Sequence, residues 1–190
     1  MKLIIPVVLA ALLLGCTASL GPVAKIDDKD VSVRDQRQDA EKKSFRPGMT
    51  SPVILLGDEN FDVSPMLYLQ EALQRHKPPA AGSLEMVVKK FRLIDYFPKR
   101  QTSAQQAALA GVMTSMGYSG SYVSAVPRGE DSIVCILEGS VNGRTFQASV
   151  STPYKLSSAA AAVRSDANWI AAARKSIDQC AGSAVSQTVQ

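Results

Sequence analysis

The side chains that could act as nucleophiles or proton-transfer groups are few, because the 190 residues include one histidine and three cysteines. A histidine-based relay would have to use His76, which comes just before Pro78-Pro79, where a helix ends. We therefore expect His76 to contact the last carbonyl groups of a helix rather than to take part in catalysis. No Ser-x-x-Lys, Gly-x-Ser-x-Gly, Gly-x-Gly-x-x-Gly or Gly-x-x-x-x-Gly-Lys motif occurs. The sequence specifies no chemical reaction, and we predict that the chain is not an enzyme.

Metal ligands are too few for a zinc site, which needs four convergent Cys, His or carboxylate side chains. Asp58, Glu59 and Asp62 are close together in the sequence, but they lack the alternate spacing of a calcium-binding loop. We interpret them as an acidic turn before the N-terminus of a helix, where negative charge is stabilising. The sequence therefore predicts no metal site and no cofactor.

Cys16 lies directly after Gly15 and the apolar run of residues 3–14, which Met1-Lys2 precedes with a positive charge. A run of about 12 residues is too short for a membrane span, which needs ~20, but it suits an export signal. Leu13-Leu14-Gly15-Cys16 resembles the lipobox of bacterial lipoproteins, in which the thiol accepts a diacylglyceryl group. We predict that residues 1–15 are a lipoprotein signal peptide and that Cys16 is lipidated. The alternative is an ordinary secretory signal cleaved near Ala18.

The residue after the cysteine bears on where the anchored chain goes. Acyl chains hold a protein in a membrane with about 0.8 kcal/mol per buried methylene. In enteric bacteria Asp at this position retains a lipoprotein in the inner membrane, and by resemblance to that rule Thr17 predicts the periplasmic face of the outer membrane.

Residues 16–29 show no sustained period, and we interpret them as a lipidated tether able to extend about 40 Å.

Charge and composition restrict the class of protein. The formal charge of +4 is a weak basic bias, and the Lys and Arg residues are scattered among acids. No basic stripe suited to a phosphate backbone results, so we predict no nucleic-acid partner. With 46% hydrophobic and 20% charged residues the chain is of the ordinary globular class. It is long enough for one self-sufficient domain, which we place at residues 30–180.

The first half of that domain contains patterns for two strands, a helix and a long strand. Alternation of apolar and polar residues predicts a strand over Val31–Asp35, and an apolar run predicts a buried strand over Val53–Leu56. Ser64 and Pro65 suit the start of a helix that ends near His76. Residues 84–97 predict a long strand, with a bulge where the alternation slips.

The second half contains a hairpin and a final helix. Asn142-Gly143 favours a tight turn between strands at residues 131–141 and 144–152, because both residues tolerate positive φ. An apolar stripe predicts a helix over residues 165–180, and residues 181–190 have the composition of a loose C-terminal tail. The stripe consists of Ile170, Ala173, Ile177 and Cys180. This order of elements predicts an α+β domain, with helices packed on one face of a mostly antiparallel sheet.

Some segments have more than one interpretation. Residues 102–116 predict a further helix, and residues 118–128 give no clear pattern. The aromatic residues around Phe97 and Tyr118 favour core packing, with an exposed contact patch as the alternative. Trp169 lies one residue off the apolar stripe, so it either flanks the core or marks an interface.

Cys135 and Cys180 remain once Cys16 is acylated, and export would place them in an oxidising compartment. Cys135 alternates with Ile133 and Leu137 on one sheet face, so the two thiols meet if the last helix covers that face. A disulfide between them would close a loop of roughly 45 residues, worth about 4 kcal/mol in the chain-entropy model. The alternative is two separately buried thiols.

Four features taken together resemble the YajG-like family of bacterial lipoproteins. They are the lipobox Leu13-Leu14-Gly15-Cys16, the early strand Val31-Ser-Val-Arg-Asp-Gln-Arg, a helix of the kind at residues 65–76, and a later antiparallel sheet. The resemblance implies an outer-membrane lipoprotein without known catalytic residues. It supplies a location and a fold rather than an activity.

The anchor, the tether and the missing catalytic motifs favour a non-enzymatic lipoprotein. We expect it to present an interaction surface in the periplasm, to an envelope protein, as an accessory to envelope assembly or transport. The alternative is a carrier of a small apolar ligand, a lipid or a glycan, with a pocket between sheet and helices. A weak periplasmic hydrolase is a third hypothesis. The sequence identifies no binding residues for any of them.

The lipobox yields a direct prediction about Cys16. The Cys16→Ser chain should incorporate no palmitate in metabolic labelling, because no other cysteine abuts an apolar run. It should accumulate as an unprocessed or soluble product. Palmitate incorporation that survives the substitution would refute the lipoprotein interpretation.

Overall fold

A 13-residue strand, β3 (Leu84–Tyr96), runs through the sheet of the computed structural model, which describes residues 17–24, 30–47, 51–97, 130–157 and 163–189. The other strands are β1 (Val31–Asp35), β2 (Val53–Leu56), β4 (Ser132–Val141) and β5 (Arg144–Pro153). β4 pairs antiparallel with β3 on one side and with β5 on the other. Only β1 is parallel to its neighbour, so the sheet is mostly antiparallel, as predicted.

The second edge of β3 is shared by two short strands. β1 pairs with the first part of β3, from Leu84 to Val88, and β2 pairs antiparallel with the last part, from Leu93 to Tyr96. β1 and β2 therefore run towards each other along the same edge. β3 carries its predicted bulge between Val88 and Lys90, close to the point where the two short strands meet.

Arg37 joins the two short strands at that point. Its side chain is 2% exposed and donates to both carboxylate oxygens of Asp35, the last residue of β1, and of Asp58, just after β2, over 2.8–3.1 Å. Its guanidinium lies over the ring of Phe91 on β3. Burial opposes ionisation of Asp35, but hydrogen bonds and charge from Arg37 outweigh it and lower the pKa of this carboxyl. The guanidinium fork thus fixes the split edge of the sheet.

Two helices cover one face of the sheet, which confirms the α+β prediction. α1 (Pro65–His76) begins at Ser64, whose hydroxyl accepts from the Met66 N–H. α2 (Ala167–Thr188) begins at Asp166, whose carboxylate accepts from two amides of the first turn. A single core lies between these helices and the sheet face. The core includes Leu69, Leu73, Leu84, Met86, Leu93, Ile133, Leu137, Trp169 and Ile177, all at most 2% exposed.

The prediction of a loose tail over residues 181–190 is wrong, because α2 continues to Thr188. Ala181, Ala184 and Val185 extend its buried stripe by two turns. Gly182 lies so close to α1 that an added Cβ would come within 2.9 Å of the His76 ring. The small residues that resembled a tail in the sequence are the ones that let α2 approach its neighbour.

The hairpin prediction is confirmed residue by residue. Asn142 and Gly143 have φ angles of 48° and 80° and join β4 to β5. The Asn142 side chain also accepts from the Glu85 N–H at 2.8 Å, which fixes the turn beside the start of β3. The strands and the helix predicted over residues 31–35, 53–56 and 65–76 are confirmed as well. The predictions for residues 102–116 and 118–128 lie outside the described residues.

Gly139 on β4 yields a test of the strand packing. A Cβ at this position would meet the Val87 carbonyl oxygen at 1.9 Å, so backbone must move to admit it. Gly139→Ala should lower the free energy of unfolding by about 1–3 kcal/mol, measured by urea denaturation. Gly82→Ala is the matched control, because nothing lies within 4 Å of its Cβ. Equal stability of the two variants would contradict the β3–β4 pairing described.

Candidate functional site

The segment that follows the predicted lipidation site is part of the fold. Ala18 and Leu20 are 0% and 1% exposed. The Ala18 N–H donates to the Asn60 carbonyl at 2.7 Å, and the Asp62 N–H donates to the Ala18 carbonyl at 3.1 Å. The prediction of a tether over residues 16–29 is therefore wrong for residues 17–24, which we call the anchor segment. Residues 25–29, like Cys16 itself, lie outside the described residues.

Side chains of both helices hold the anchor segment. The Tyr68 hydroxyl of α1 donates to the Gly21 carbonyl at 2.6 Å. The Arg174 guanidinium of α2 donates to the carbonyls of Leu20 and Pro22 at 3.0 and 3.3 Å, and it lies over the Tyr68 ring. Glu71, which is mostly buried, orients Arg174 through a 2.9 Å ion pair. The sequence contained a hint in Ala18 and Leu20, apolar residues in a stretch otherwise typical of a linker.

This packing determines how far the domain lies from Cys16. Only Thr17 separates Cys16 from Ala18, and consecutive Cα atoms are about 3.8 Å apart, so the two Cα atoms are at most about 7.6 Å apart. The extended tether expected from the sequence would have allowed about 40 Å. An acyl group on Cys16 would therefore hold the domain at the bilayer surface.

A second cluster lies at the carboxyl end of β3, around Asp95. This carboxylate is 3% exposed and accepts from the Tyr154 hydroxyl at 2.7 Å and from the Trp169 Nε1–H at 3.2 Å. Burial raises the pKa of Asp95, while the two hydrogen bonds favour the charged form. Burial and the neighbouring Asp95 charge likewise raise the pKa of Tyr154. Trp169 is fully buried, so of its two interpretations the core position is the one observed.

Asp95 lines a cavity of about 240 Å³, which we call the Asp95 cavity. Its walls combine apolar side chains with carboxylates and guanidinium groups. The described residues that line it are Arg46, Ile54, Asp95, Phe97, Asp131, Tyr154, Leu156, Val163 and Arg164. A mostly apolar concavity with a few convergent polar groups is the usual form of a small-ligand site. No pattern in the sequence identified it, because its residues come from six separate stretches.

The Asp131 carboxylate, which lines this cavity, has one oxygen without a hydrogen-bond partner among the described residues. That oxygen, Oδ1, is buried. A buried acceptor left unpaired costs about 1–3 kcal/mol. Asp131 is close enough to Asp95 and Tyr154 for its charge to raise the pKa of both. Arg164 acts on Asp95 in the opposite direction.

Cys135 and Cys180 meet at the centre of the helix–sheet interface, as the sequence analysis expected. Both are fully buried free cysteines, and the Cys180 thiol donates to the Cys135 carbonyl at 3.3 Å. Burial raises the pKa of the Cys135 thiol, and the adjacent Cys180 raises it further. The geometry brings together the two sulfur atoms that a bridge needs, while the bridge itself stays a prediction.

The remaining candidates have structural partners. His76, at the end of α1, contacts the Asp178 carboxylate of α2 at 3.3 Å. Asp58 forms its ion pair with Arg37, and Glu59 accepts from the Ser44 N–H and hydroxyl. Within the described ranges no group of three His, Cys, Asp or Glu side chains is arranged to hold a metal ion. None of the described helices combines the length and apolar character that a membrane span requires.

Comparisons with protein-family models, with curated proteins and with solved structures find no match to this chain. The candidate sites therefore rest on their geometry. Two remain after the residues above are accounted for: the anchor segment, which couples the domain to Cys16, and the Asp95 cavity, which contains an unpaired buried carboxylate.

The thiol pair yields a prediction for the exported protein. If the chain is exported as the sequence predicts, non-reducing mass spectrometry should find a peptide that links Cys135 to Cys180, because the two thiols are in contact and the periplasm is oxidising. The Cys135→Ala, Cys180→Ala double variant should lose about 2–4 kcal/mol of stability relative to the oxidised protein. The reduced protein is the control for the loss of packing alone. Alkylation of both thiols in denatured, unreduced protein would refute the bridge.

Proposed function

We propose that this chain is a non-enzymatic lipoprotein, anchored through Cys16 at the periplasmic face of the outer membrane, that binds a partner in the envelope. The packing of the anchor segment is the observation that carries the proposal. A domain that begins two residues after a lipidated cysteine has a defined height and orientation at the bilayer. Such a domain suits contact with a membrane-associated partner rather than capture of molecules far from the membrane.

The orientation follows from the residues that pair with the anchor segment. Ala18 is bonded to the backbone of Asn60 and Asp62, so lipid on Cys16 would bring this edge of the domain to the bilayer. The lipobox and the order of elements that resemble the YajG-like family support the same location. Membership of that family is part of the proposal.

Two exposed hydrophobic side chains, one aromatic and one aliphatic, are candidates for the contact with the partner. Phe45 and Leu67 are 47% and 43% exposed, the highest values among the large hydrophobic residues that the structure describes. Complete burial of one such side chain contributes about 1.5–3 kcal/mol. Either side chain would add to the binding free energy if the partner buried it.

A second function is favoured by a different observation. The Asp95 cavity has the apolar walls and the convergent polar groups of a small-ligand site. We infer that a carrier of a small, partly apolar ligand is the alternative to a partner-binding module. The two functions are compatible in one protein, because the cavity and the anchor segment use different residues.

Crosslinking in intact cells tests the first function. The full chain should form a discrete protein adduct with a short amine-reactive crosslinker, and Cys16→Ser should abolish the adduct because the domain leaves the bilayer. Phe45→Ser with Leu67→Ser should reduce it at least threefold. Asp39→Asn is the matched control, because its side chain is 94% exposed and lies outside both candidate sites. An adduct of equal yield in the Cys16→Ser chain would contradict the proposal, and a co-purifying small molecule without an adduct would favour the carrier.

A further inference from the structure

The Asp95 cavity contains charges of both signs on an apolar wall. Asp95 and Asp131 contribute two carboxylates, and Arg46 and Arg164 contribute two guanidinium groups. Phe97, with Ile54, Leu156 and Val163, makes the rest of the lining apolar. The formal charges cancel, so the cavity has no net preference for a cation or an anion.

The existing contacts of these groups restrict where a ligand can bind. Both oxygens of Asp95 already accept a hydrogen bond, one from Tyr154 and one from Trp169. Arg46 donates to the Ser51 carbonyl and lies over the Phe97 ring. Asp131 retains a buried carboxylate oxygen with no hydrogen-bond partner among the described residues. Neither Asp131 nor Arg164 forms an ion pair with another described residue. Arg46 keeps further donors, but Asp131 and Arg164 are the two oppositely charged lining residues whose side chains have no hydrogen bond or ion pair within the described part of the chain.

We propose that the Asp95 cavity binds a small zwitterion with an apolar body. Its ammonium group would donate to Asp131, and its acidic group would accept from Arg164. Its apolar body would lie against Phe97 and Ile54. An amine alone would leave Arg164 without a counter-charge, and an acid alone would leave Asp131 unpaired in a largely apolar site, which is costly.

This ligand chemistry has two sources in the envelope. An α-amino acid with an apolar side chain joins an ammonium and a carboxylate to an apolar body. The head of an aminophospholipid joins an ammonium to a phosphate. The volume of about 240 Å³ is below the roughly 300–1,000 Å³ of most ligand sites, which restricts the bound group to one about the size of a free amino acid or a lipid head. The inference rests on the carrier function proposed above and names its ligand class.

Calorimetric titration of the purified full chain in a non-ionic detergent tests the ligand class. The probes are L-phenylalanine, phenethylamine, which lacks the carboxylate, 3-phenylpropionate, which lacks the ammonium, and a short-chain phosphatidylethanolamine, whose acyl chains supply the apolar body. L-Phenylalanine or the short-chain phosphatidylethanolamine should bind at least tenfold more tightly than either single-charge compound. The stronger of the two identifies the source. Trp169 is the only tryptophan of the chain and is bonded to Asp95, so its fluorescence should change with the same midpoint.

Three variants locate the site. Asp131→Asn and Arg164→Gln should each weaken binding of the zwitterion at least tenfold. Asp39→Asn should leave it unchanged. Far-UV circular dichroism shows whether each variant is folded. If one of the two cavity variants does not fold, the other still tests the site.

Three results would overturn the zwitterion proposal. They are failure of both zwitterions to bind, equal binding of phenethylamine or 3-phenylpropionate, and equal binding by the Asp131→Asn and Asp39→Asn chains. A different small molecule that co-purifies with the chain and is lost in Asp131→Asn would leave the carrier function standing while it refuted this ligand class. Failure of the ligand class and failure of the carrier function are thereby distinguishable.

Discussion

β3 is the strand on which the other described parts of the molecule depend, because three of the other four described strands pair with it. β4 occupies one edge over ten residue pairs, and β1 and β2 divide the other between them. No backbone hydrogen bonds join the described strands β1 and β2 where they meet. Arg37 links them there, because its guanidinium group forms ion pairs with both Asp35 and Asp58. The buried ion pairs are well compensated, since the guanidinium fork satisfies both carboxylates. The junction thereby fixes the end of β1 to the residues just after β2.

Both candidate sites derive from that arrangement. The residues just after β2 reach Asn60 and Asp62, whose backbone groups bind Ala18, and α1 then contributes Tyr68 to the same anchor segment. The Asp95 cavity lies at the other end of β2, beside Ile54 and the carboxyl end of β3. A lipid on Cys16 and a ligand in the cavity would therefore use separate parts of the sheet edge.

Features with local causes could be predicted from the sequence. The turn at Asn142-Gly143 needs only two residues with positive φ, and α1 needs a capping serine, a proline and a stripe of apolar residues. Apart from the meeting of Cys135 and Cys180, contacts between distant segments gave no such pattern. Arg174 binds the Leu20 carbonyl across 154 positions, and the cavity collects residues from Arg46 to Arg164. The anchor segment and the end of α2 were mistaken for linker and tail because small residues such as Ala18 and Gly182 pack closely without a strong hydrophobic signature.

The central claim is that Ala18, two residues after the predicted lipidation site at Cys16, is already packed into the fold. Hydrogen exchange of the mature, membrane-bound protein measures this directly, because a packed amide exchanges only when its segment opens. The account predicts that a peptide covering residues 17–24 is protected to a degree similar to that of β1. The Ala18 amide, which donates to Asn60, should be among its slowest to exchange. Complete exchange of this peptide within seconds, as in a flexible linker, would contradict the account.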